Sequence, residues 1–219
     1  MLSKVITDLL NAILNTETLP TRFKNGLTVT LYKGHGKPYC EPSSYRAISL
    51  LPVISKLFEK FLLNRINLSN LALKVNNLQH GFQNNVNCKM VSLILQEARE
   101  FCCERGGALN VCYMGAKSAF DMVWIDRLLY KLHNMGVGGK TLIVIANSLK
   151  GSSSRILQNG YLSEFFHIKQ RTRQGSICAP FFYTVYINDL LAKLQESQHG
   201  IRIFVSATFA LVPRLWPMI

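Results

Sequence analysis

The chain has 219 residues, 48% hydrophobic and 17% charged, a balance that excludes a disordered polypeptide and allows a sizeable core. Twenty-five Lys and Arg against 12 Asp and Glu leave a formal net charge of +13, which points to a polyanionic partner, nucleic acid ahead of an anionic membrane. The four aspartates, Asp8, Asp121, Asp126 and Asp189, set a tight limit on any chemistry that holds metal through carboxylates. The six cysteines have no paired spacing and read as reduced, intracellular thiols. The five histidines lack zinc-ligand spacing. The longest aliphatic run, Leu142 to Ala146, is far too short to span a membrane.

Residues 2–15 carry Val5, Ile6, Leu9, Leu10, Ile13 and Leu14 at helical spacing, a pattern of an amphipathic helix rather than a signal peptide. After Pro20 and Gly26, the alternating run Leu27–Leu31 predicts a strand. It enters a basic, glycine-containing loop, Lys33-Gly34-His35-Gly36-Lys37-Pro38, where glycines let backbone amides approach an anion. The spacing is not that of a P-loop, and a solvated turn is an equal reading. A helix is predicted from about Ile54 to Leu68, with Leu57, Phe58, Phe61, Leu62 and Ile66 on its apolar face and Lys56, Glu59, Lys60 and Arg65 elsewhere. A second helix, about Lys89 to Glu104, ends at Gly106-Gly107.

The apolar run Val111–Met114 predicts a strand that turns through Gly115–Ser118. Asp121 reads as the N-cap of a helix whose stripe is Ile125, Leu128, Leu129 and Leu132, and Asp126 suits the first turn. Residues Thr141–Leu149 predict another helix. Asn159-Gly160 is the strongest hairpin signal, joining Ser153–Gln158 to Tyr161–Ile168. The loop Lys169–Ser176 leads to a helix from about Ala179 to Glu196, with Phe182, Val185, Tyr186, Leu190 and Leu194 facing inward. A last strand is predicted over Ile201–Val205. No repeat or linker divides the chain.

Six segments stand in a recognisable order: VTLYKGHGKP, YRAISLLPVISKLFEK, LQHGF, YMGAKSAFDMVW, the Asn-Gly hairpin and RQGSICAPFFYTVYINDL. Together, from about Leu19 to Leu211, they resemble the reverse transcriptase of non-LTR (LINE-type) retrotransposons. The resemblance implies an α+β right-hand polymerase fold: fingers and an antiparallel palm sheet backed by helices, without a thumb. It implies a single domain, with fingers and the start of the palm over 1–108, palm over 109–211 and a divergent tail over 212–219. Its implied partners are an RNA template, a DNA primer and a deoxynucleoside triphosphate, with no membrane, no oligomer, and an intracellular setting in cytoplasm or nucleus.

Carried over residue by residue, the resemblance places Lys33 and Arg46 at the triphosphate, as a point charge and a fork suit phosphate. It places Phe120 where an aromatic ring excludes a ribose 2′-hydroxyl, and Gln174 and Gly175 in a loop that packs on nucleotide and template. Lys37, Arg171 and Arg173 are the added candidates for the nucleic-acid backbone. Core packing for Phe120, an ion pair for Arg46 and an ordinary turn at Gly175 are the blander readings.

The chain departs from the family at the metals. Nucleotide transfer there uses two magnesium ions held by carboxylates. The first position, five residues before Phe120, is Gly115, and Leu211-Val212-Pro213 follows Phe209-Ala210 where the family has paired aspartates. No intact catalytic residue and no metal ligand set is expected, and Mg2+ belongs to the family rather than to this copy. The expectation is therefore a reverse transcriptase domain that does not polymerise. The alternatives are a non-catalytic, basic nucleic-acid-binding module and a poorly folded relic.

Overall fold

The computed structural model describes residues 2–34, 36–68, 75–113, 115–116, 118–170, 172–173, 175–197, 201–205 and 208–212, the last two stretches by backbone alone. The chain forms two compact units, each built from two separated stretches: Met1–Lys74 with Ser118–Tyr183, and Val75–Lys117 with Thr184–Ile219.

The first unit is organised on a sheet with strand order β2-β1-β3-β4, and β5 also pairs with β3. The strands are β1 (Asn25–Tyr32), β2 (Tyr45–Leu50), β3 (Ser152–Gln158), β4 (Tyr161–Leu162) and β5 (Phe166–Ile168). β1 pairs antiparallel with β2, with Leu31 opposite Arg46 and Thr28 opposite Ser49. β1 and β3 run parallel, so the sheet is mixed where an antiparallel one was expected. Their long crossover leaves room for the intervening helices. Asn159-Gly160 turns β3 into β4 with positive φ at both residues, as its sequence predicts. Buried hydroxyls stitch the parallel pair: Thr28 and Ser154 lie 2.8 Å apart, and Ser154 donates to the Gly26 carbonyl.

The helices of this unit are α1 (Leu2–Thr16), α2 (Thr21–Lys24), α3 (Val53–Leu68), α5 (Ile125–Asn134) and α6 (Gly139–Leu149), with the start of α7 (Ala179–Glu196). α1 packs on α6, as does α5. Phe58, Leu62 and Ile66 recur every fourth residue along α3 and are buried, with Phe23 edge-on to Phe58 at 6.3 Å. Leu57, expected on that face, is exposed because it lies about 100° round the helix from Phe58. Leu128 and Leu132 of α5 and Val144 and Ile145 of α6 complete the core. The expected cap of α5 moves: Trp124 is the N-cap, while Asp121 closes a turn by bonding its N–H to the Ser118 carbonyl. Asp126 does sit in the first turn, 2.6 Å from Lys150.

The second unit holds α4 (Cys88–Glu104), the remainder of α7, and a hairpin of β6 (Ile201–Val205) and β7 (Thr208–Val212). Asn87 caps α4 by accepting from the Met90 N–H. Asn76 binds α7 twice, donating its N–H to the side-chain oxygen of Asn188 and its side-chain amide to that of Gln195. Of the strand expected over Val111–Met114, Met114 lies outside the described residues; residues 111–113 form no regular element, and Tyr113 is 82% exposed. An apolar run becomes a strand only when a neighbouring strand takes its hydrogen bonds. Leu190, expected to face inward on α7, is 52% exposed. Among the described residues, no helix is long and apolar enough to cross a membrane, and all six cysteines are free thiols.

The α3 stripe sets a stability expectation. Phe58→Ala should destabilise the first unit by about 3–5 kcal/mol, and Leu57→Ala by less than about 1 kcal/mol. Urea titration followed by tryptophan fluorescence measures both.

Candidate nucleotide-binding face

The candidate residues of the first unit gather around two loops. The first is the β1–β2 connection. Leu31 pairs with Arg46, and Lys33 lies two residues beyond Leu31. Cross-strand partners share a face, and so do residues two apart on one strand. Lys33 and Arg46 therefore share one face of the hairpin. Lys33 continues the ladder, its N–H bonding the Ser44 carbonyl at 2.8 Å, and its ammonium donates to the Ser43 carbonyl at 2.7 Å. Arg46 and Lys37 are exposed. Gly34 and Gly36 have φ of 73° and 68°, which lets the loop fold back on itself. Tyr32 closes it by donating from its hydroxyl to the Lys37 carbonyl.

The second loop runs from Thr172 to Cys178 and enters α7. The structure describes Thr172, Arg173 and Gly175–Cys178; Arg171 and Gln174 lie outside the described residues. Thr172 is buried and donates twice to the Phe120 carbonyl, from its N–H at 3.0 Å and its hydroxyl at 3.2 Å. The Phe120 ring lies 5.3 Å from that of Tyr183, so it is half-buried against the start of α7 rather than fully in the core. Gly175 is required on two counts. Its φ is +114°, and a Cβ there would collide with the Ser49 carbonyl of β2. Thus Gly175 comes against the strand that carries Arg46, and Phe120 is tied to the same loop.

Arg173 departs from its expected role. It is 6% exposed and donates to the Lys24 and Ser148 carbonyls at 3.2 and 3.3 Å. A guanidinium has five donors in a rigid fork, which suits it to tie several carbonyls together inside a fold. It braces the loop from within instead of facing a phosphate backbone.

Sequence reasoning missed Glu59. Its carboxylate accepts the Ile177 N–H at 2.6 Å, and its backbone carbonyl accepts the Cys178 thiol at 3.4 Å. Burial pushes the Glu59 carboxyl above its ordinary 4.5, against the Ile177 N–H, the Ser176 side chain and the Arg173 charge, which pull it down. Burial, then the Glu59 charge, pushes the Cys178 thiol well above its usual range, so it is inert. A signal was present: Ser55, Phe58, Glu59, Leu62 and Ile66 follow i, i+3, i+4, i+7, i+11 spacing. A carboxylate inside a buried stripe marks a partner elsewhere in the fold.

Gly115 belongs to the second unit. It is exposed, and a Cβ built on it would meet nothing within 4 Å. Among the described residues, no group of three or more His, Cys, Asp or Glu could hold a metal ion. The sequence carries no carboxylate side chain over 197–219. A pair of magnesium ions needs several hard oxygen ligands, and the described residues offer no such cluster.

Four substitutions at three positions test this arrangement. Gly175→Ala should destabilise by about 1–3 kcal/mol, from strain and the Ser49 overlap. Gly115→Asp should change stability by less than about 0.5 kcal/mol. Glu59→Ala orphans the Ile177 N–H at a cost of about 1–3 kcal/mol. With the folded carboxyl raised, the native state holds the extra proton, so wild-type stability should fall as pH rises from 4.5 through the raised value. Glu59→Gln should retain the bond and lose that pH-dependent decline. Thermal melting between pH 4 and 8 reads all of these.

Residues 33–207 match the family described as "Reverse transcriptase (RNA-dependent DNA polymerase)". The chain is 29% identical over 194 residues to the "Probable RNA-directed DNA polymerase from transposon X-element" of Drosophila melanogaster, covering 84% of this chain and 20% of that protein. It is 26% identical over 182 residues to the "RNA-directed DNA polymerase from mobile element jockey" of the same species, covering 82% of this chain and 20% of the relative. It thus spans about a fifth of the length of these curated relatives. A solved telomerase from Candida tropicalis, truncated from its C-terminal domain, shares the fold at TM-score 0.54 and 13% identity, over 88% of this chain and 44% of that one. The ordered motifs, the loop packed on β2 and this match over most of the chain make one conclusion: the chain belongs to the reverse transcriptase family and is a reverse transcriptase domain of the LINE type.

Proposed function

We propose that this chain is the fingers-and-palm portion of a LINE-like RNA-directed DNA polymerase, in a copy that grips a primed template without extending it. One observation supports the reading: the loop packs Gly175 on β2 and ties Phe120, while Gly115, which the resemblance aligns with a metal-binding carboxylate of the family, offers no ligand atom. In this reading, fingers and the start of the palm occupy 1–108 and the palm 109–211.

Lys33 and Arg46, on one face of the β1–β2 hairpin, receive the triphosphate of a deoxynucleotide. Phe120 bars a ribose 2′-hydroxyl, and Gln174 with Gly175 lies against nucleotide and template. Lys37 and Arg171 engage the backbone of an RNA–DNA duplex, while Arg173 holds the loop in shape. In an active family member, two divalent ions activate the attacking oxygen and stabilise the leaving phosphate. This chain's residues do not fit them, so its part is binding and orientation alone.

Incubated with a primed RNA template, magnesium and deoxynucleotides, the purified chain should give no templated extension, and Gly115→Asp should not restore it. Extension above a no-protein control would sink the proposed inactivity. Affinity for an RNA–DNA duplex should fall about 100-fold between roughly 50 and 200 mM salt if three or four phosphates are engaged. A complete lack of binding at low salt would remove the gripping role.

A further inference from the structure

The β1–β2 connection carries aromatic surface that triphosphate contacts do not use. Tyr32 and Tyr39 stack nearly parallel, with ring centroids 4.4 Å apart and planes at 20°. Tyr39 is 74% exposed. One of its faces is covered by Tyr32, and the ring is otherwise open. The stack is built in advance. The Tyr45 hydroxyl donates to the Tyr39 carbonyl at 2.9 Å, the Tyr45 ring leans on Tyr32 at 5.6 Å, and the Tyr32 hydroxyl bonds the Lys37 carbonyl. Held that way, the ring loses little freedom when something lands on it.

The charge around it selects the visitor. From residue 33 to 46, Lys33, Lys37 and Arg46 face one carboxylate, Glu41, which accepts from the Ser43 hydroxyl at 3.1 Å. An exposed aromatic face beside cations matches a nucleobase with its phosphate. Bases within a duplex already stack on one another, so only an unpaired base can offer its face to the ring.

We propose that the Tyr32–Tyr39 stack is a platform for an unpaired base of single-stranded nucleic acid, with Lys37 beside it to engage the strand's phosphates. The inference rests on the nucleic-acid-binding reading above and adds a site to it. Stacking is tolerant of base identity, because every base has a π-face. The platform therefore holds an unpaired strand with little sequence preference.

Fluorescence anisotropy with the intact chain tests it, using labelled oligo(dT), oligo(rU) and a blunt RNA–DNA duplex over a salt series. Tyr39→Ala should weaken single-strand binding about 5- to 100-fold and leave blunt-duplex binding unchanged. Tyr39→Trp should keep the affinity, and Tyr39→Leu, which preserves apolar bulk without a π-face, should lose it. The salt slope should be the same in Tyr39→Ala and wild type, because no charge is removed. Far-ultraviolet circular dichroism of each variant confirms the fold. Single-strand affinity unaltered in both Tyr39→Ala and Tyr39→Leu overturns the platform. Equal weakening of single strand and duplex by Tyr39→Leu also overturns it, making the tyrosine a support of the loop. Wild-type binding to duplex but not to either single strand sinks the platform alone; binding to none of the three sinks the nucleic-acid reading itself.

Discussion

The carboxylate of Glu59 accepting the Ile177 N–H is the contact on which the candidate face depends. It fastens α3 to the loop that opens α7, and the other loop ties converge around it. Arg173 reaches carbonyls of α2 and α6, Thr172 holds Phe120, and Gly175 comes against the backbone of β2. The loop is thus braced by elements far apart in sequence. Withdrawing a carboxylate from water is costly, and for the half-buried Glu59 desolvation outweighs the bonds and the Arg173 charge that favour its ionised form. Such a contact is retained more for the geometry it imposes than for net stability, which suits a loop that must present a glycine at one place.

The identity of residue 115 matters little to this scaffold. Gly115 makes no close packing: a side chain there would meet nothing within 4 Å. A side chain facing open space contributes little packing, so its presence or absence there costs the fold little. The core depends instead on Phe58, Leu62, Leu128, Leu132 and Ile145, all intact and buried.

Much of this was legible beforehand. The helices from Leu2, Val53, Cys88, Ile125, Gly139 and Ala179 follow from apolar spacing, because a helix satisfies its own hydrogen bonds locally. The Asn-Gly turn declared its hairpin through two positive φ angles. Val111–Tyr113 misled, because strand formation needs a partner that local sequence does not name. Arg173 misled in the other direction. The resemblance offered Arg173 to a nucleic-acid backbone, yet Arg173 turns inward to carbonyls of Lys24 and Ser148, each more than twenty residues away in the chain.

By itself, the sequence determined the family, the order of the helices, the net positive charge and the absence of an Asp-Asp pair, all properties carried by residue identity and local spacing. Only the tertiary structure decided what each polar side chain does. It put Glu59 into a half-buried tie, withdrew Arg173 from solvent, ran β1 parallel to β3 and left Tyr39 of the Tyr32–Tyr39 stack exposed. The reason is physical: burial and hydrogen-bond partnership are set by segments distant in the chain, and they determine whether a charge braces a fold or meets a ligand.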